Sequence, residues 1–249
     1  MVGSFGIFRN LRKSGKLRFK GEGHYVIIGW SNKAQHSMNE IKEMDDKAKI
    51  LLIDTLPESP VDHERFYYIN GDVTDKTILE RANIQQAKAV LIFTSDNEFD
   101  PITADGKSLI TVSAIENYAI EKDKDIYTIV EVLKEKHVPN FKHANVDELV
   151  ISGEALSNLM AKTAIHKESS RLIINLLSRK SGVDLWKVKK REIWKTYNDA
   201  LEDLKNLGAN LISDGTDFNL LSKLEEPIPD EAELYVICNK ETYLQIPET

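Results

Sequence analysis

The residues best placed for chemistry are Gly29, Trp30, Ser31 and Asp54. Gly29 follows the apolar run from His24 to Ile28, and a helix-compatible stretch begins just beyond it. A glycine at a strand-to-helix turn lets the backbone bend sharply and leaves amide N–H groups facing an anion at the helix N-terminus. Asp54 ends a second apolar run, Lys49 to Ile53, where a strand-tip carboxylate can accept hydrogen bonds from ribose hydroxyls. Strand, glycine turn, helix, strand and terminal acid are the parts of a dinucleotide-binding βαβ unit. The glycine fingerprint is incomplete, because Ser31 and Ala34 stand where two further glycines belong. Ser31 puts a Cβ where a pyrophosphate presses on bare backbone, whereas Ala34 still permits close helix-to-sheet packing. A plain tight turn at Gly29 and a solvated carboxylate at Asp54 are the competing readings. The bulk of Trp30 narrows the cleft, covers a ligand or packs on a neighbour.

Other acids extend this set. Asp72 follows Gly71 and either caps the next turn or joins the ligand rim. Asp96, Glu98, Asp100 and Asp105 cluster after the fourth apolar run and resemble the opening of a calcium loop. Pro101, however, stands where such a loop needs glycine, so an exposed acidic loop is the favoured reading. Glu131 lies inside the apolar run from Ile126 to Val132, where a carboxylate requires a cation or hydrogen-bond donors. That makes it a candidate ligand or interface residue. The six histidines show no metal-ligand spacing, so no metal site is expected.

The elements that must position these residues alternate. Strands are expected at 24–29, 49–54, 66–69, 89–94, 126–132 and 147–151, and helices at 33–45, 75–82 and 103–121. Ser31 or Asn32 suits the first N-cap and Thr74 the second. Pro139 interrupts a short helical stretch over 136–142. This alternation predicts an α/β fold with a Rossmann-like, doubly wound parallel sheet, whose ligands bind beyond the carboxyl ends of the strands. A long helical stretch follows from Gly153, with a break at His166 to Ser170. Leu156, Leu159, Met160 and Thr163 form its apolar stripe, suited to its own sheet or to a neighbouring chain. Beyond Ser181 a small α+β lobe is expected: a helix over 194–207 ended by Gly208, and strands at 209–213, 234–238 and 243–246.

The chain has 249 residues, a net charge of -7 and one cysteine, Cys238. These fit a protein of a reducing compartment and argue against nucleic acid as the main partner. Phe5 to Phe8 is too short for a secretory signal. Two basic stretches stand out: Arg9 to Lys20, with no acid, and Lys187, Lys189, Lys190 and Arg191 between Trp186 and Trp194. The first reads as a solvated tail or a linker near an anionic membrane surface. The second could stack bases, although no nucleic-acid module accompanies it.

His24 to Ser31, Ile53-Asp54, Asn70-Gly-Asp72, Ala82 to Val90 and Thr94-Ser-Asp96 occur in an order and spacing that resembles the RCK (regulator of potassium conductance, TrkA-N-like) domain. The resemblance covers roughly 24–170, and the Gly-Trp-Ser variant is similar to that of bacterial two-transmembrane potassium channels. Residues 183–246 resemble the divergent C-terminal lobe of such subunits, marked by Leu211 to Gly215 and Pro229 to Cys238. The resemblance implies residues 1–22 as a linker from a pore-lining helix, a Rossmann domain over 23–152, crossover and dimerisation helices over 153–180 and a lobe over 181–249. It implies a non-enzymatic gating domain at the cytoplasmic face of the cell membrane. Its partners would be a potassium-channel pore domain and further copies of itself, as dimers building an octameric ring, with no nucleic acid. Leu156, Leu159, Met160 and Thr163 would then face a second copy. The effector would be an adenine nucleotide (ADP, ATP or NAD) held by Gly29, Trp30, Ser31, Asp54, Asp72 and Glu131. Calcium is disfavoured, because Phe93 and Leu133 stand at positions where calcium-gated members carry carboxylates, although Glu131 matches. A nucleotide-dependent oxidoreductase is the alternative, but no catalytic constellation or substrate domain accompanies the turn.

Overall fold

Strands buried on both faces read as unbroken apolar runs, and such runs form the centre of this protein. The computed structural model describes residues 10–178 and 182–246, so Arg9 and the segment 179–181 lie outside the described residues. The chain divides into two compact units, residues 1–161 and 162–249.

The first unit is built on a six-stranded parallel sheet. Its strands are β1 (His24–Ile28), β2 (Ile50–Asp54), β3 (Phe66–Asn70), β4 (Ala87–Ile92), β5 (Thr128–Val132) and β6 (Glu148–Ile151), in the order β3-β2-β1-β4-β5-β6. The order reverses between β1 and β4, which opens a crevice beyond their carboxyl ends. Helix α1 (Asn32–Met44) covers one face with Ala34 and Met38 against Ile27, Ile50 and Leu52. Helices α2 (Lys76–Ala82) and α3 (Pro101–Lys122) cover the other, placing Leu79, Val112 and Ile115 on Val26, Leu51 and Ile53. The doubly wound Rossmann-like fold is thus present. Ser31 caps α1 by accepting the Ala34 N–H, whereas α2 is capped by Asp75 rather than Thr74. Pro139 does not interrupt α4 (Val138–His143). It sits in the first turn, where its missing N–H costs nothing.

Helix α5 (Ser152–Ile165) follows β6 and leads through a break to α6 (Ser169–Leu177). Neither helix buries a residue. The second unit holds an antiparallel sheet β7-β9-β8, made of Val183–Val188, Leu234–Asn239 and Asn210–Asp214. Helix α7 (Tyr197–Leu207) packs Ala200 and Leu204 into a core with Val236, and a Thr196–Asp199 capping box starts it. Two expectations fail here. The segment 243–246 is not a strand but lies at the end of α8 (Lys240–Gln245), because the Asn239 side chain caps a helix by accepting the Thr242 N–H. Strand β7 is not among the expected strands, since Lys187 reads with the basic stretch between Trp186 and Trp194 as a segment that could stack bases. Lys187, Lys190 and Arg191 pair with Glu233, Asp230 and Asp203. Trp186 stacks on Tyr243 and Trp194 is fully buried. These contacts give the stretch a structural role inside the lobe. Among the described residues no helix is long and apolar enough to cross a membrane.

The basic leader is not a free tail. Gly15 O accepts the Asn70 N–H at 3.1 Å and Arg81 Nη2 at 2.5 Å, and Phe19 N–H donates to Arg81 O at 2.8 Å. Arg12 Nη2 donates to the carbonyls of His63, Glu64 and Phe66. Gly15 has φ +65°, and a Cβ there would lie 2.3 Å from the Asn70 nitrogen. Gly15→Ala is therefore expected to unseat the leader at a cost of about 1–3 kcal/mol. Hydrogen exchange should show faster exchange at the Asn70 and Phe19 amides with β1 unaffected; unchanged exchange at both would contradict this anchoring.

Candidate functional site

The carboxyl ends of β1, β2 and β4 open into a cleft of about 390 Å³, lined by Gly29, Trp30, Asp54, Asp72, Thr94 and Lys107 among others. Gly29 takes φ +84°, and a Cβ there would come 2.5 Å from Phe93 O. The turn therefore requires glycine both for its conformation and for the close approach of the β4 backbone. Two N–H groups of this turn are already held by carboxylates. Trp30 N–H donates to Asp54 Oδ2 at 2.6 Å, and Asn32 N–H donates to Asp96 Oδ2 at 2.6 Å. Asp54 Oδ1 also accepts the Thr55 N–H at 2.6 Å. Asp96 thus occupies a position at the helix N-terminus where a ligand phosphate oxygen would receive a hydrogen bond.

The sequence-derived site residues separate into two groups. Gly29, Trp30, Asp54 and Asp72 line the cleft, with Trp30 also set edge-on to Phe66 at 6.2 Å between ring centroids. Asp72 further braces its own turn by accepting the N–H and hydroxyl of Thr74. Ser31 and Glu131 are not among the lining residues: Ser31 caps α1, and Glu131 is the centre of a buried knot. Glu131 accepts Lys33 Nζ at 2.6 and 2.7 Å, the Thr94 hydroxyl at 2.6 Å and the Thr94 N–H at 3.1 Å. Burial opposes its charge, but Lys33 and Thr94 outweigh that and hold the carboxyl below the usual range.

The acidic loop likewise divides into separate roles. Asp96 holds the turn, Glu98 pairs with Lys107, and Asp100 caps α3. Asp105 is buried and accepts the N–H groups of Leu133 and Lys134 together with His137 Nδ1. Among the described residues no group of three or more acidic, histidine or cysteine side chains is arranged to hold a metal. Sequence reasoning missed Lys33, Asp96 and Lys107 as parts of the site. The sequence signalled that Glu131 needs a cation, since it is an acid inside an apolar strand. Nothing in it singled out Lys33, 98 residues away in the first turn of α1.

The knot makes a prediction. Glu131→Gln leaves Lys33 without its carboxylate and is expected to lower stability by about 1–3 kcal/mol at pH 7. Because the folded-state pKa lies below the ordinary 4.5, the wild-type advantage is complete above that value. It is lost as pH falls through the folded pKa. Urea unfolding at pH 7 and pH 3 would measure both; an equal deficit at the two pH values would refute the charge assignment.

Comparison with known proteins agrees with this geometry. The chain is 30% identical over 147 residues to the putative potassium channel protein YugO of Bacillus subtilis strain 168, covering 59% of this chain and 43% of that protein. It is 22% identical over 182 residues to the calcium-gated potassium channel TvoK of Thermoplasma volcanium, covering 72% of this chain and 50% of that one. The chain thus spans about half the length, or less, of these relatives. The human SLO3 gating ring shares the fold with a TM-score of 0.64 at 12% identity, over 89% of this chain and 46% of that one. A family model described as the TrkA-N domain matches residues 25–152, just over half of the chain. The unit that carries the glycine turn, the strand-tip aspartate and the Glu131 knot places the chain in the TrkA-N domain family.

Proposed function

We propose that this chain is a regulatory gating domain of a potassium channel, placed at the cytoplasmic face of the membrane, that couples ligand binding in the strand-end cleft to pore opening without catalysing a reaction. The observation that carries the reading is the match of its Rossmann unit to the TrkA-N family, together with two curated relatives that are potassium channels. Gating requires a ligand that binds the open and closed arrangements with different affinity, since equal affinity shifts nothing.

The ligand class that suits the cleft is an adenine nucleotide. At the ribose end, Asp54 retains oxygen lone pairs after accepting two backbone N–H groups. At the phosphate end, Asp96 already holds the Asn32 N–H, so a phosphate must displace it. Binding is thereby tied to movement of the loop between β4 and α3, and affinity is weakened by that competition. Calorimetry with ADP is expected to show Asp54→Ala binding about tenfold or more weakly than wild type, through loss of a charge-assisted hydrogen bond. Asp96→Asn, which exchanges a charged competitor for a neutral one, should bind several-fold more tightly. Absence of ADP binding by wild type at millimolar concentration would end the nucleotide reading.

Assembly supports the same function. Leu156 and Met160, one helical turn apart on α5, are 59% and 65% exposed. Exposed large apolar side chains on one helix face suit burial against a second copy. Light scattering is expected to find at least a dimer, and Met160→Glu should dissociate it by placing an unpaired charge in the interface. A wild-type monomer at all practical concentrations would refute the dimer.

A further inference from the structure

A second cavity lies apart from the cleft, between the leader and the face of β2 and β3. It measures about 420 Å³, within the roughly 300–1,000 Å³ typical of small-molecule sites. Leu51 and Ile69 line its sheet side, and Phe19 and Tyr67 meet there with ring centroids 4.7 Å apart. Every charged side chain on its lining is a cation: Arg12, Arg18, Lys20 and Lys49. This is a local inversion in a chain whose net charge is -7.

These cations are not equivalent. Arg12 is committed to backbone carbonyls and lies 5.1 Å over the Tyr67 ring. Arg18, Lys20 and Lys49 are exposed, and none of them enters an ion pair among the described residues. Like charges gathered around one cavity repel, and an anion placed among them removes that repulsion while gaining charge-assisted hydrogen bonds. Aromatic and aliphatic walls below them favour a flat apolar body over a bare inorganic ion. The cleft offers the opposite chemistry, with Asp54, Asp72 and Glu98 on its lining.

We propose that this cavity is a binding site for an organic phosphate carrying an aromatic ring, the ring resting against Phe19 and Tyr67 and the phosphate held by Arg18, Lys20 and Lys49. One wall is the leader itself, from Leu17 to Gly21, so the site exists only while the leader is docked. A ligand here therefore stabilises the docked leader by mass action.

The test is calorimetry on the whole chain with 1-naphthyl phosphate, and with inorganic phosphate and 1-naphthol as its two halves. The ester is expected to bind about tenfold or more tightly than either half. The exposed pair Lys20→Glu and Lys49→Glu, combined in one variant, should weaken the ester about tenfold or more while the melting temperature stays close to wild type. Asp54→Ala should bind the ester as wild type does, which separates this site from the cleft. The proposal is overturned if wild type does not bind the ester, if either half binds as well, if binding survives the double charge reversal, or if Asp54→Ala abolishes it. A short-chain phosphatidic acid binding more tightly than the naphthyl ester would overturn the aromatic assignment.

Discussion

A carboxylate inside a parallel sheet cannot remain charged unless the protein supplies donors, and that constraint organises the carboxyl edge of this fold. Glu131 lies on β5, but its partners come from elsewhere: Lys33 from the first turn of α1 and Thr94 from just beyond β4. Satisfying one acid therefore fixes the approach of a helix and a neighbouring strand end. Lys33 remains 43% exposed, so solvent screens its attraction to Glu131 while sparing it much of the desolvation cost. The pair's larger effect is on geometry, since Thr94 lines the cleft and Glu131 holds it in place.

The same logic repeats at the glycine turn with a different result. Asp96 and the Ser31 hydroxyl accept the Asn32 and Ala34 N–H groups of the helix N-terminus, and Asp54 holds the Trp30 N–H just before it, so the turn is braced by its own chain. A phosphate reaching a cradle satisfied by its own chain would have to exchange with Asp96, and that competition would lower its net affinity. An open glycine-rich cradle carries no such competitor. Ser31 and Ala34 in place of glycines are consistent with that arrangement: Ser31 closes the helix start with its own hydroxyl instead of leaving bare backbone for a pyrophosphate.

The sheet was legible in the sequence because its central strands are buried on both faces. Ile50 to Ile53 are each at most 1% exposed, and such a run has few alternatives. Gly29 was legible for a related reason, as only glycine meets both its dihedral and its distance from Phe93 O. What escaped depended on partners distant in sequence or on one capping side chain. Strand β7 carries Asp184 and Lys187 three residues apart, which breaks the period-two alternation of a half-buried strand, and Lys187 becomes recognisable as a strand residue only beside Glu233. Tyr243 to Ile246 has the apolar content of a strand, but Asn239 at the preceding boundary selects a helix. The acids of the β4–α3 loop looked like one exposed cluster, whereas the fold sends Asp96, Glu98, Asp100 and Asp105 to four different partners.

The cleft and the leader meet on adjacent strand positions. Asp54 stands in register with Asn70 across β2 and β3, and the Asn70 N–H is held by Gly15 of the leader. Tyr68 strengthens the connection by donating its hydroxyl to Asp54 O, and Asn70 Nδ2 reaches Leu56 O. The leader is then fastened again at Phe19, at Gly21 O by Asn83, and at Gly23. No interval between these anchors exceeds four residues, which leaves little slack. A flexible tether would absorb displacement of the sheet, whereas a segment pinned this densely moves with it. Spatial continuity alone is not coupling, which requires an element with two arrangements that both sites bias. The Gly15 contact of the leader and the Asp96–Asn32 contact are where two arrangements would have to differ for such coupling to operate. They lie on opposite sides of β2, so the strand bearing Asp54 is the element these two contacts share.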